Sequence, residues 1–352
     1  MSLSLITIHV YRLWSPTILF TFKVYHPDTK ETVWKSVNVS NFVTPPPKLD
    51  KRSCQADEFS LTYESHPESE DHPEGYTIRA SLSKSIKIAL TISRPASIPG
   101  FKVGKGPQGG YSYFGPNPNK AEGYVVHRFW PHTINTGRLT YNGKTVAVDG
   151  PGMFDHAIQG MRPNLVASRW NFAHFQSSEE HRGSVSAIQM EFTTLENYGR
   201  KGENSGPVTV NVGSLVIGGK LAAITAETRW PDEPSSSSAD SMVISRGSHI
   251  NPNFDSDTGY KKPTRVLFKW AGGSLVEDAQ GTIKAGLEVD VGGPSDAKGL
   301  IEKVDLLAEI PYVVKMAVNY VAGTKPYIYQ VRSWIGFETD CTPKITLFFF
   351  SG

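Results

Sequence analysis

The sequence predicts an all-β protein built from antiparallel sheets, and two kinds of pattern support this prediction. Apolar and polar residues alternate with a period of two in short segments such as Phe20–Val24, Ile86–Ile92 and Val266–Trp270, which is typical of half-buried strands. The dipeptides Asn142-Gly143 and Gly218-Gly219 each separate two such segments and indicate tight hairpins. Many short strands at this spacing favour antiparallel sandwiches or barrels over alternating βαβ units.

Two segments depart from the strand pattern. Pro311 suits the first position of a helix, and the apolar residues that follow share one face as far as Gly323, so we predict a single C-terminal helix there. The segment Ser235–Asp257 contains four consecutive serines and no clear period. We therefore predict a loop for it.

The length of the chain favours two packed units. At 352 residues it exceeds the size at which one hydrophobic core usually stops growing. A glycine- and proline-rich stretch, 104–119, precedes an aromatic cluster that begins at Tyr124. We place the domain boundary there, which gives an N-terminal domain over 1–125 and a C-terminal domain over 126–352.

Charge and cysteine content narrow the range of partners. Lys and Arg total 36 and Asp and Glu total 34, a net charge of +2, which is too balanced for a surface that follows phosphates, so no nucleic acid is expected. The two cysteines form no CxxC or Cys/His cluster, which fits a reducing compartment. No uncharged run approaches the length that spans a bilayer. Membrane contact is therefore expected to be peripheral.

The sequence contains no convincing dinucleotide, nucleophile or metal motif. The segment 104–109 matches GxGxxG, but the prolines that follow it exclude the helix that a dinucleotide fold requires. No GxSxG nucleophile motif occurs. No metal is predicted, because the histidines that cluster in the middle of the chain lack the spacing of a zinc site; these residues are His127, His132, His156, His174 and His181. No cofactor is expected.

The most informative segments are 152–161 and 169–176. They place an acid, an imidazole, an amide and a guanidinium next to large aromatic side chains. Alternation along the second segment sends Trp170, Phe172 and His174 to one face, with Arg169 and Asn171 on the other. Mixed walls of this kind suit a pocket that holds an apolar ligand and anchors its few polar atoms. A buried hydrogen-bond network that closes a barrel is the alternative.

Five segments resemble a known family. They are TFKVYHP (21–27), GYVVHRFWP (123–131), HAIQGMRP (156–163), ASRWNF (167–172) and GTKPYIYQ (323–330). Together they resemble the fungal survival-factor family of ceramide-binding proteins, within the lipocalin-like AttH/hydroxyneurosporene synthase superfamily. The resemblance covers roughly residues 18–330. The first 17 residues and the segment after 330 depart from the family pattern, which leaves closure of the first barrel open.

The resemblance implies two lipocalin-like (calycin) antiparallel β-barrels packed together. It also implies ceramide binding, non-vesicular transfer between the endoplasmic reticulum and the Golgi, and a role in survival of oxidative stress. The expected location is cytoplasmic, with peripheral association to endoplasmic reticulum and cis-Golgi membranes and the nucleus as a second site. The residues expected to contact a ceramide or similar hydrophobic ligand are Trp130, His156, Gln159, Arg169, Trp170, Asn171 and Phe172.

Two alternatives to a lipid carrier stay open. Carotenoid hydratases and fungal pericyclases of the same superfamily carry a similar Asp-His-x-x-x-Gly stretch, which Asp155, His156 and Gly160 match. In such an enzyme Asp155 donates a proton to an alkene or orients water, and His156 is its partner. Against this, Gln159 stands where that branch has an aromatic residue, so a non-catalytic carrier is favoured. A scaffold that binds protein partners is the third hypothesis.

Overall fold

The computed structural model describes residues 4–12, 16–26, 29–103, 111–114, 117, 120–121, 123–159, 168–177, 184–196, 199, 205–229, 244–276, 281–293, 300–305, 327–334 and 344–351. In these ranges every extended regular element is a β-strand, which confirms the all-β prediction. None of the elements in them is a helix of the length and apolarity needed to cross a bilayer. The helix predicted for 311–323 lies outside the described residues.

Twenty-two strands make up these ranges. In chain order they are β1 (Ser4–Arg12), β2 (Pro16–His26), β3 (Glu31–Asn38), β4 (Cys54–Gln55), β5 (Phe59–Ser65), β6 (Glu74–Ser83), β7 (Ile86–Arg94), β8 (Tyr111–Phe114), β9 (Gly123–Tyr141), β10 (Lys144–Gln159), β11 (Arg169–Gln176), β12 (Val185–Thr193), β13 (Thr209–Ile217), β14 (Lys220–Arg229), β15 (Ile244–Ile250), β16 (Asn253–Asp255), β17 (Tyr260–Lys262), β18 (Arg265–Gly273), β19 (Thr282–Asp290), β20 (Leu300–Asp305), β21 (Tyr327–Trp334) and β22 (Lys344–Ser351).

The chain forms two compact units. Unit 1 comprises Met1–Pro99 and His132–Phe154, and unit 2 comprises Gly100–Pro131 and Asp155–Gly352. The chain therefore passes between the units more than once, and the long strands β9 and β10 each contribute to both. The boundary near residue 125 divides the chain differently and stays a prediction from sequence.

Unit 1 has a mixed aliphatic and aromatic core. The sheet β1-β2-β3 and the sheet that contains β7-β6-β5-β4 supply its residues. The alternating residues Phe20, Phe22 and Val24 of β2 are buried against Phe59 and Ile78 of the second sheet. The period of two in the sequence therefore marks the core face of β2, as predicted.

Unit 2 contains the sheet β14-β13-β12-β11-β22-β21-β20 and the smaller sheet β15-β18-β19. Their shared core includes Phe175 of β11, Leu215 of β13, and Phe268 and Trp270 of β18. The Trp270 indole N–H donates to the Ile188 carbonyl over 2.9 Å, which satisfies the one polar atom of this buried ring. Within the described strands neither sheet closes on itself.

Both predicted hairpins are confirmed. Asn142 and Gly143 connect β9 to β10 with φ of 48° and 75°, and Gly218 and Gly219 connect β13 to β14 with φ of 59° and 72°. Two successive positive φ values define the type I′ turn, which Asn-Gly and Gly-Gly adopt at low cost. The loop prediction for 235–257 is wrong where β15 and β16 occur. Propensity missed β15 because its residues between the two terminal isoleucines are polar or glycine, which hides the apolar alternation of a strand.

Candidate functional site

A row of polar side chains crosses the large sheet of unit 2. Asn171 of β11 pairs with Glu191 of β12, Glu191 pairs with Asn211 of β13, and Asn211 pairs with Glu227 of β14. Because directly paired residues of antiparallel strands project to the same face, the four side chains form a continuous line. We call these four residues the polar row.

Glu191 lies at the centre of the polar row and is only 1% exposed. Its Oε1 accepts from Asn171 Nδ2 over 3.1 Å. Its Oε2 accepts from Asn211 Nδ2 over 3.1 Å, from Arg229 Nη2 over 3.0 Å and from the Gly247 backbone N–H over 3.3 Å. A buried carboxylate is tolerated only when it is paired and hydrogen-bonded in this way.

His249 extends the polar row from β15. Its Nε2 lies 2.7 Å from Asn171 Oδ1. Since the Asn171 amide nitrogen already donates to Glu191, the oxygen is the acceptor and the ring donates its Nε2–H. Burial, together with the nearby Arg169 guanidinium, lowers the pKa of His249 to about 4. The ring is therefore neutral near pH 7.

The far end of the polar row holds a second carboxylate, that of the partly buried Glu227. Arg246 Nε donates to Glu227 Oε2 over 3.1 Å, and the Ser245 backbone N–H donates to the same oxygen over 3.3 Å. Burial alone raises the pKa of Glu227, but these hydrogen bonds and the Arg246 charge outweigh it, so the pKa is lowered. Ser245 Oγ in turn donates to Asn211 Oδ1. The polar row is thus joined into one network from end to end.

Polarity changes stepwise along the same face of the sheet. One end carries Arg169 and Arg229, and Arg169 is 38% exposed at its side chain. The polar row follows about 7 Å farther along the strands. Beyond it, after an intermediate row, come Phe175 and the apolar core of unit 2. A face that runs from charged through polar to apolar matches the gradient of an amphipathic molecule.

The predicted ligand residues of β11 divide between two faces. Arg169 and Asn171 belong to the face of the polar row. Trp170 lies on the opposite face, where it packs against the cluster of Val125, Phe192, Val208 and Val210. Phe172 shares the Trp170 face, because it lies two residues farther along the strand. The alternation predicted for this strand is therefore confirmed. Because the two pairs of residues lie on opposite faces of the sheet, one small ligand does not contact both pairs.

The remaining predicted residues lie elsewhere in unit 2. Trp130 is buried in the first half of β9. Its ring lies so close to Gly100 that a Cβ there would come within 2.6 Å of it. The side chain of His156 is exposed. Gln159 ends β10, and its side chain lies outside the described part of the chain.

Asp155 pairs with a different histidine from the one that the sequence suggests. Its Oδ2 lies 3.1 Å from Nδ1 of His127, whose ring is 6% exposed and stacks on Phe129. His156 is the next residue of β10, so it points to the other face of the strand. The proposed partnership of Asp155 and His156 is therefore replaced by a pair of Asp155 and His127.

No group of three potential metal ligands occurs in the ranges that the structure describes. His127 is hydrogen-bonded to Asp155. Burial lowers the pKa of His132. His181 lies outside the described residues. The arrangement of the described histidines provides no metal centre.

Sequence reasoning missed most of the polar row and its partners. Glu191 stands between Met190 and Phe192, and Asn211 stands between Val210 and Val212. A polar residue between two apolar residues of a strand is the sequence pattern that could have indicated these positions. Its meaning depends on strand register, which brings Glu191 opposite both Asn171 and Asn211 and is not readable from one sequence.

Comparison with solved structures identifies the fold class. The chain is similar to the crystal structure of CghA, with a TM-score of 0.57 and 9% identity over 96% of this chain and 80% of that protein. At this identity the similarity shows the fold alone. It confirms the prediction of a lipocalin-like all-β fold.

Comparison of sequences identifies the family. The ceramide-binding protein svf1 of Schizosaccharomyces pombe is 31% identical over 327 residues, which cover 92% of this chain and 72% of that protein. The protein of the same name from Aspergillus fumigatus is 33% identical over 318 residues, which cover 90% of this chain and 67% of that protein. The model of the Svf1 family matches residues 3–345, a longer stretch than the 18–330 expected. The chain therefore belongs to the Svf1 family.

Proposed function

We propose that this protein binds ceramide, or a closely similar two-chain lipid, on the face of the large sheet of unit 2 that carries the polar row. The observation that carries the proposal is the polar row, in which Asn171, Glu191 and Asn211 are buried and Glu227 is partly buried, followed on the same face by an apolar cluster. Two relatives that are 31% and 33% identical bear the name ceramide-binding protein. The names of these relatives suggest which lipid is bound. The polar row and the apolar cluster provide the contacts that such a lipid requires.

The chemistry of ceramide fits this face. Ceramide has a secondary amide and hydroxyl groups at one end, two hydrocarbon chains at the other, and no charge. The Glu191 and Glu227 carboxylates are matched within the protein by Arg229 and Arg246, so the ligand need not supply a counter-ion. Amide side chains such as Asn171 offer both donors and acceptors to an uncharged head. The apolar cluster around Phe268 suits the start of the chains.

The finer part of the proposal concerns where the lipid goes. A protein that covers the polar head of ceramide is suited to carry it through water between membranes. We extend the proposal to non-vesicular transfer of the lipid between endoplasmic reticulum and Golgi membranes. In this proposal the carrier is cytoplasmic and contacts both membranes peripherally. The same protein would contribute to survival of oxidative stress. The family resemblance motivates this part.

Lipid extraction tests the core of the proposal. The full chain, purified from a fungal host without added lipid, is analysed by native mass spectrometry and then incubated with phosphatidylcholine vesicles containing ceramide. We expect a 1:1 ceramide complex, and Asn171→Leu is expected to bind at least tenfold less. Arg265→Gln, which alters an exposed ion pair with Glu288, is the matched control. Folded protein that extracts no ceramide contradicts the proposal.

A second candidate function follows from the pair formed by the partly buried Asp155 and the buried His127. A carboxyl group held 3.1 Å from an imidazole is an arrangement used in proton transfer, as in a hydratase or cyclase. Turnover of an added alkene-containing metabolite that disappears in Asp155→Asn, without loss of fold, would support this candidate. Equal conversion by wild type and variant would reject it.

A further inference from the structure

Gln189 has a buried acceptor that receives no hydrogen bond from the part of the chain that the structure describes. The residue lies in β12, two positions before Glu191 and on the same face, and is 0% exposed. Its Nε2 donates to the Lys269 carbonyl of β18 over 3.0 Å, which fixes the orientation of the amide. Its Oε1 has no hydrogen-bond partner among the described residues.

The acceptor lies at the boundary between the polar row and the apolar core. Gly247 lies next to this boundary. A Cβ built on Gly247 would lie 3.5 Å from Gln189 Oε1, 3.4 Å from Asn171 Nδ2 and 3.3 Å from Phe268 Cε1. The three side chains therefore meet around one point. Phe268 belongs to the apolar core and Asn171 to the polar row.

A buried carbonyl oxygen without a partner is costly, because it gives up its bond to water on folding and gains none in return. Such groups are rare in folded proteins, and each requires a physical explanation. The cost is removed if a ligand supplies a donor. In ceramide the hydroxyl and amide N–H groups lie where the chains join the head, which corresponds to the boundary that Gln189 occupies.

We propose that Gln189 Oε1 accepts a hydrogen bond from a hydroxyl or secondary amide N–H of the bound lipid and thereby selects lipids with a donor at the junction of chains and head. The inference rests on the proposed lipid binding and deepens it. Lipids of equal chain length without such a donor leave the acceptor unpaired and bind more weakly. Gln189 is thus a specificity-determining residue of the site.

The test compares two ligands on two variants. The ligands are ceramide and its fully O- and N-methylated analogue, which keeps both chains and has no donor. We expect wild type to prefer ceramide at least tenfold and Gln189→Met, of similar size, to lose that preference. Ser214→Ala is the matched control, because Ser214 Oγ is also buried without a partner among the described residues but lies on the opposite face of the sheet. It is expected to retain the full preference.

The outcomes separate this inference from the proposed function. Failure of wild type to bind either ligand overturns both. Equal binding of the two ligands by wild type, or an unchanged preference in Gln189→Met, overturns the role of Gln189 and leaves lipid binding standing. If Gln189→Met does not fold, Gly247→Ala is measured instead, with Gly286→Ala as its control because only the Phe268 carbonyl lies near that position, at 3.9 Å. An unchanged preference in Gly247→Ala likewise overturns the inference.

Discussion

Asn171 and Glu191 face each other across β11 and β12, and the Asn171 amide donates to the Glu191 carboxylate over 3.1 Å. The same carboxylate accepts from Asn211 on β13, from Arg229 on β14 and from the Gly247 backbone on β15. One buried group thus connects five strands from both sheets of unit 2. The polar row is consequently part of the framework of the unit as well as its candidate binding surface.

Removal of Glu191 is expected to be strongly destabilising. Glu191→Ala leaves Arg229 and two amides without their partner in a buried site, so the free energy of unfolding should fall by about 3–5 kcal/mol. Glu288→Ala is the control, since its ion pair with Arg265 is half exposed and should contribute about 1 kcal/mol or less. Urea denaturation of both variants measures the difference. Equal losses would mean that the Glu191 network contributes no more than a surface pair.

Stability should depend on pH through His249. Its pKa is about 4 in the folded protein against 6.5 ordinarily, so the unfolded chain binds more protons between these values. Its contribution is therefore present above pH 6.5 and is lost as the pH falls toward 4, by an amount on the order of 3 kcal/mol. His249→Gln retains a donor for Asn171 and removes the titration. Denaturation curves from pH 4 to 7 should be flatter for this variant, and identical slopes would contradict the expectation.

Lipid occupancy should survive Asp155→Asn. Asp155 and His127 lie on β10 and β9, in a different sheet from the polar row, so loss of the charge should leave bound ceramide within about twofold of wild type. The lost charge-assisted hydrogen bond should lower stability by about 1–3 kcal/mol. Native mass spectrometry gives the occupancy and thermal unfolding gives the stability. A folded variant without lipid would assign Asp155 to the binding site.

Cys54 should react slowly with alkylating reagents. Burial raises the pKa of its thiol to about 11, and only the thiolate is nucleophilic. In a Cys341→Ser background, iodoacetamide at pH 8 should modify the native protein about two orders of magnitude more slowly than the urea-unfolded protein. Mass spectrometry follows the reaction. Similar rates in the two states would show that Cys54 is accessible and ionised normally.

Much of the fold is readable from local pattern. Asn142-Gly143 and Gly218-Gly219 specify their turns by backbone preference alone, and the alternation of Phe20, Phe22 and Val24 reports burial directly. β15 was missed because its interior residues are polar or glycine and the strand depends on tertiary pairing with β18. Propensity carries no information about such partners.

The candidate site was only partly predictable for the same reason. Alternation along β11 separated Asn171 from Trp170, as the structure does. It did not reveal that Glu191, Arg229 and His249 gather around Asn171, because these residues come from strands up to 78 positions away. Asp155 pairs with His127, 28 positions away, whereas the sequence suggested the adjacent His156 as its partner. Proximity in sequence was a poor guide, since neighbours in a strand face opposite sides.

Photo-crosslinking with a ceramide that carries a diazirine near its amide tests the central claim most directly. The full chain is loaded from vesicles, irradiated and digested, and the labelled peptides are identified by mass spectrometry. We expect labels on β11, β12 and β15, around Asn171, Gln189 and Gly247, and their loss in Asn171→Leu. Labels confined to unit 1, or to the Trp170 face of the sheet, would contradict it.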